Sequence, residues 1–148
     1  MNPSAIRPAL VLLAVVVGVW LVFGLRSVLL IDDGDEVLAQ ARAGNVSAEQ
    51  VDAGMADYAR AGRLSPDQTP LIDQGALLYA VGRKAEAEEV GRRATEVEPD
   101  NLQAWYLAWV VAPPKTPAKA AAERRVLALN PWFGYALRRA RSAEQRGR

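Results

Sequence analysis

Two different hydrophobic periods run along this chain, and they divide it. From Pro8 to Leu25 no residue is charged, and Val, Leu, Ala and Phe follow one another without leaving a polar face for a helix to turn to water. Arg26 interrupts the run and Ser-Val-Leu-Leu-Ile follows. At about 1.5 Å per residue, Ala9 to Ile31 covers roughly 34 Å as a helix, enough for a hydrocarbon core of about 30 Å. Arg26, near the end of that run, can snorkel its guanidinium to the headgroups. A cleavable signal peptide would carry a shorter apolar region and a small-x-small site. Arg-Ser-Val-Leu-Leu-Ile-Asp-Asp offers none. Residues 1–31 are therefore expected to be a tail and transmembrane anchor, and residues 32–148 a separate domain.

Beyond Ile31 the apolar positions recur at helical spacing. Ala87, Val90, Gly91, Ala94 and Val97 make one stripe, with Glu86, Glu88, Glu89, Arg92 and Arg93 on the other side. Ser47 with Gln50 predicts a capping box that opens a helix through about Ala61. Pro117 is expected to start a helix that runs to Leu129. A last helix from Trp132 to about Gln145 would turn Trp132, Phe133, Ala136, Leu137 and Ala140 inward and Arg138, Arg139, Arg141 and Arg146 outward. No stretch alternates as a strand does, so the domain is expected to be all-α.

Three segments align on a proline: Arg60-Ala-Gly-Arg-Leu-Ser-Pro66, Arg93-Ala-Thr-Glu-Val-Glu-Pro99 and Arg125-Val-Leu-Ala-Leu-Asn-Pro131. The prolines are 33 and 32 residues apart. Each follows a helical pattern whose last apolar residue lies two positions earlier, at Leu64, Val97 and Leu129. Proline cannot continue a helix but suits the first turn of the next, so it punctuates helix-turn-helix units. In this the chain resembles the tetratricopeptide repeat (TPR) family, whose unit of about 34 residues pairs two antiparallel helices.

The middle unit matches best. Ala94 and Ala87 fall at the family's small positions in the second helix, Gly82 at the turn and Gly75 at the close contact in the first helix. Leu78, with Tyr79 beside it, takes the place of the usual large aromatic. The outer units depart further. Gly54 replaces an alanine in the first, Val126 and Lys119 replace two in the third, and Pro113-Pro114-Lys115-Thr116-Pro117 replaces a short turn. The resemblance covers about residues 35–147. It implies an N-terminal transmembrane helix followed by a short α-solenoid of about three TPR-like units and a C-terminal capping helix. In the family the first helices of successive units line a concave groove. By register this implies that Tyr79, Gln103, Tyr106, Tyr135 and Arg138 face it, with tyrosine and arginine the types expected at peptide-binding hot spots. Trp105 and Trp109, four apart on one helix face, are expected in the core.

Composition narrows the chemistry. The chain has neither Cys nor His, which removes disulfides, thiolate and imidazole metal sites, cysteine nucleophiles and His-based triads. All 17 acidic residues lie after Ile31, as do all the basic ones but Arg7 and Arg26, so the domain is nearly neutral and no nucleic-acid partner is implied. Asp32-Asp33-Gly34-Asp35-Glu36 lacks the spacing and closing Glu of a calcium loop. It is read as a charged stop whose acids open a helix. Glu86, Glu88 and Glu89 are read as a solvated face rather than a catalytic pair. The arginine-rich C-terminus is read as a solubilising cap, with anionic lipid or an acidic partner as the other use.

The expected function is a membrane-tethered TPR-like adaptor or scaffold for protein–protein interaction at a bacterial cell envelope, with membrane or envelope proteins as partners. The bilayer is contacted through residues 8–31 and no cofactor or metal is implied. The bacterial assignment rests on composition alone. A small structural subunit of a membrane complex is the alternative; an enzyme, such as a hydrolase using two carboxylates, is not expected. Arg7 and the terminal amine before the span against Arg26 at its far end give a margin of one charge, favouring an extracytoplasmic domain.

Overall fold

A computed structural model of the chain describes residues 3–135, with side chains from residue 10 onward. Six helices follow one another: α1 (Pro3–Arg42), α2 (Ala48–Leu64), α3 (Thr69–Ala80), α4 (Lys84–Val97), α5 (Leu102–Val111) and α6 (Pro117–Leu129). A further helical turn occupies 131–135, and no strand occurs among the described residues.

The helices end for reasons written in the sequence. The even-numbered ones stop at Leu64, Val97 and Leu129, two residues before each repeated proline. A proline ring clashes with a helical backbone at the residue before it. Ser65, Glu98 and Asn130 accordingly leave the helical region, with ψ of 137°, 83° and 88°. α1 and α3 end differently, on glycines in the left-handed region: Gly44 at φ 75° and Gly82 at φ 81°. Around each, two backbone bonds close the last turn. The Asn45 and Arg83 amides donate to Gln40 and Leu78, and the Gly44 and Gly82 amides to Ala41 and Tyr79. The starts of α2, α5 and α6 are capped as well. Ser47 and Gln50 exchange a full capping box, Asn101 accepts from the amides of Gln103 and Ala104, and Thr116 accepts from Lys119 with Pro117 in the first turn.

Packing divides the chain into two units, Met1–Pro70 and Leu71–Arg148. In the first, α1 and α2 form a hairpin. Ser27, Gly34, Leu38 and Ala41 of α1 are buried, as are Val51, Gly54, Tyr58 and Ala61 of α2. Gly34 lets the helices close. A methyl group there would lie 2.7 Å from the ring of Tyr58, whose hydroxyl donates to Asp35 Oδ1 at 2.7 Å. In the second unit α5 packs on both α4 and α6. Glycines again set the approach. A Cβ on Gly75 would come 2.5 Å from Leu107 and 3.1 Å from Val90, and one on Gly91 would come 3.2 Å from the Cα of Ala108. Leu77, Leu78, Ala87, Ala94, Ala104, Leu107, Ala122 and Val126 fill the interior.

Several expectations need correcting. The acids Asp32 to Glu36 do not open a helix: α1 runs through them without a break to Arg42. Nothing in the segment is a helix breaker other than Gly34, and that glycine is used for packing. The apolar stripe of α4 is narrower than its periodicity suggested. Thr95 is buried and Val97 is 52% exposed, because α4 ends at Val97. Trp132 is 82% exposed rather than turned inward. Trp105 and Trp109 are only half-buried; α5 is so short and so apolar that Ala104, Leu107 and Val111 already supply its core face.

A stretch of α1 from Leu10 onward is long and apolar enough to cross a membrane, with a mean hydropathy of 2.4 over its most apolar window and only 6% of that window buried.

Candidate protein-binding face

α5 carries the centre of the candidate face. Its N-terminus is fixed by Asn101, whose side chain holds the Gln103 amide at 2.9 Å and the Ala104 amide at 3.2 Å. With Ala104 and Leu107 buried, the helical period leaves Gln103 and Tyr106 on the surface, three residues apart on one side. Tyr106 is 46% exposed yet not loose. Its ring lies 5.7 Å from Trp109, tilted, and 5.7 Å from Phe133, edge to face. Trp109 and Phe133 complete the cluster at 5.5 Å, also edge to face. Each such pair adds roughly 0.5–1.5 kcal/mol beyond the area it buries.

Lys119 holds this cluster from α6. Its ammonium sits 4.7 Å from the Trp109 ring centre and donates to the carbonyls of Trp109 and Val110. Those carbonyls are among the unpaired acceptors at the end of α5, where a cation also offsets the partial negative charge of the helix terminus. The Lys119 side chain thus caps one helix from the next.

Of the five residues implied by the resemblance, the structure brings Gln103 and Tyr106 together on α5. It places Tyr135 two residues beyond Phe133, 58% exposed. Tyr79 lies in the last turn of α3, 39% exposed beside the buried Leu77 and Leu78, and makes no ring contact among the described residues. Arg138 lies outside the described residues. No group of acidic side chains among the described residues is arranged to hold a metal ion.

A groove went unnoticed in the sequence. It encloses about 480 Å³ among α4, α5 and α6, floored by Ala108, Ala112, Ala118 and Ala122, walled by Trp105 and rimmed by Glu89 and Arg92. Trp105 stands beside it with its indole N–H donating to the carbonyl of Pro99 at 2.7 Å. The signal for it was present. Alanines dominate both the far side of α5 and the start of α6, and two facing surfaces of small side chains leave space between them.

The electrostatics of α4 are those of a solvated surface. Arg83 grips Glu86 with both nitrogens at 2.7 and 2.6 Å, and its hydrogen bond holds the Glu86 carboxyl below the usual value. Arg92 does the same for Glu89, and also pairs with Glu96. These carboxylates are held ionised and face water, the reverse of what a general acid needs. Comparison with known protein families, with curated proteins and with solved structures finds no match for this chain.

Proposed function

We propose that this chain is a membrane-tethered adaptor whose TPR-like helical hairpins bind another protein, in an envelope membrane and with the hairpins outside the cytoplasm. The observation that carries the reading is the set of exposed tyrosines, Tyr79, Tyr106 and Tyr135, on the unit formed by α3 to α6. The part of each ring left in water contributes little to folding. On a rigid helical scaffold the rings supply contact area at small entropic cost when a partner covers them. The repeated punctuation, glycine ending α1 and α3 and an X-Pro step ending α2, α4 and α6, supports the solenoid reading. The ion-paired surface carboxylates and the lack of Cys and His speak for binding rather than catalysis.

The test is crosslinking and affinity recovery of partners from membranes that contain the full chain. Tyr79→Ala should lower recovery at a modest cost in melting temperature, since Tyr79 is 39% exposed and has no ring partner among the described residues. Tyr106→Ala should lower both recovery and stability, because it also removes two ring contacts. Full recovery by both variants would reject this face. Degradation of the wild-type chain whenever it is expressed without other subunits would favour the structural-subunit alternative.

A further inference from the structure

The α1–α2 hairpin reaches further down α1 than the division after Ile31 allows. Ser27 is 5% exposed and its hydroxyl donates to the carbonyl of Ala61 at 3.5 Å. Higher up, Gly34 lies against the ring of Tyr58. These two contacts fix the register: α2 descends alongside α1, and residues 59–64 lie level with residues 26–31. On the rest of the α1 surface at this level, Val28 and Leu29 are 53% and 55% exposed. The apolar surface of the span therefore continues upward past the point at which α2 has already joined it.

Arg26 on α1 and Arg63 on α2 are exposed, sit at this lower level and make no ion pair among the described residues. Arg63 commits only its Nε, to the carbonyl of Ala59 at 3.4 Å. Arg60 is at the same level, paired with Asp57 at 2.6 Å. The acids of α1, Asp32, Asp33, Asp35 and Glu36, begin a turn further out. Exposed Asp67 follows the end of α2, its carboxylate accepting from the amide and hydroxyl of Thr69, so the groups left unpaired where the apolar surface ends are the two guanidiniums.

We propose that the lower end of the hairpin, from Arg60 to Ser65, lies in the headgroup layer of the bilayer, and that Arg26 and Arg63 bind the phosphodiester of anionic phospholipids there. The proposal rests on α1 being a membrane span. Guanidinium suits this ligand because it offers paired donors to phosphate oxygens and is weakly hydrated. The last turn of α2 would otherwise present its partial negative charge to the phosphate plane, which the two arginines offset.

The chain has no cysteine, so single labels can be placed in the full-length protein. Spin labels on Val19→Cys, Ala48→Cys and Ser65→Cys in phosphatidylcholine–phosphatidylglycerol nanodiscs are read against a nickel chelate carried on lipid headgroups. Position 65 should relax strongly. Position 48, about 25 Å away at the other end of α2, should not, and position 19 should report hydrocarbon. Short-chain phosphatidylglycerol titrated into the detergent-solubilised chain should then immobilise the label at 65 saturably, and phosphatidylcholine should not. Arg26→Gln with Arg63→Gln should raise the half-saturating concentration about twenty-five-fold, at roughly fivefold per arginine. Equal relaxation at 65 and 48, equal response to the two lipids, or the same response to inorganic phosphate alone would overturn the proposal while leaving the span intact. A label at 19 exposed to water would overturn the span, and the proposal with it.

Discussion

Replacing Gly34 with alanine sets two opposed effects against each other. In the middle of a helix, alanine is favoured over glycine by roughly 1 kcal/mol, because glycine loses more backbone freedom on folding. Here the added methyl would lie 2.7 Å from two ring carbons of Tyr58, where carbon atoms normally stand about 3.5–4.0 Å apart. The ring cannot step aside at little cost: it is fully buried, and its hydroxyl is tied to Asp35, the next residue along α1. Either the helices separate or that bond is lost. Overpacking of this kind costs typically about 1–3 kcal/mol, and a hydrogen bond to a carboxylate contributes roughly 1.5–3. The net expectation is destabilisation of the hairpin by about 1–2 kcal/mol.

Gly62→Ala supplies the control within the same hairpin. Its methyl would meet the Cβ of Pro70 at 3.7 Å, an ordinary contact, so only the propensity effect remains and the hairpin should gain up to about 1 kcal/mol. Hydrogen-exchange protection of the α2 amides in the detergent-solubilised full chain reads both as opening free energies. Adding Tyr58→Ala should remove the penalty of Gly34→Ala, giving a coupling of opposite sign to the single effect. If Gly34→Ala protects α2 as well as Gly62→Ala does, the close approach of these helices is wrong.

Two further outcomes follow from charge. The hydrogen bonds from Arg83 and Arg92 lower the carboxyls of Glu86 and Glu89 below their ordinary value of 4.5. Folded values below the unfolded ones stabilise α4 above about pH 4.5, and that support is lost as the pH falls through the folded values. Because both groups face water the loss should be small and absent in about 1 M salt. A rise in α4 protection on acidification, or one indifferent to salt, would reject it. A reporter fused after Arg148 should be active outside the cytoplasm and silent inside, from the one-charge margin of Arg7 and the terminal amine over Arg26; the reverse would place the partners in the cytoplasm.

Much of the secondary structure was legible because most helix boundaries have a local chemical cause. Pro66, Pro99 and Pro131 act on the residue before them, Gly82 accepts a backbone angle closed to other side chains, and Ser47 and Gln50 satisfy each other's amides. Those signals need no tertiary information. Burial was less legible because it depends on which face another helix covers. The pattern of α5 reads Leu-Gln-Ala-Trp-Tyr-Leu-Ala-Trp-Val-Val, apolar almost all round, and periodicity cannot choose among its faces. Size misled as well: alanine at 104 takes the core while the tryptophans on either side of Leu107 stand half out. The alanine-floored groove, which no register marks, was missed.

The continuity of α1 is the feature the sequence concealed most completely, since a charged run after an apolar one normally marks the end of a span. Four acids within five residues are tolerated in a helix interior when all are exposed, as these are, while glycine between them faces the neighbouring helix. The consequence is mechanical. A flexible linker would let the hairpin explore many heights and angles over a bilayer. A helix unbroken from Pro3 to Arg42 gives no such freedom, because bending it would break backbone hydrogen bonds that nothing nearby replaces. Ser27 and Ala61 then hold α2 at one height on that rod, so the level at which Arg26 and Arg63 stand is set by the register of the hairpin and not by chance encounter with the surface.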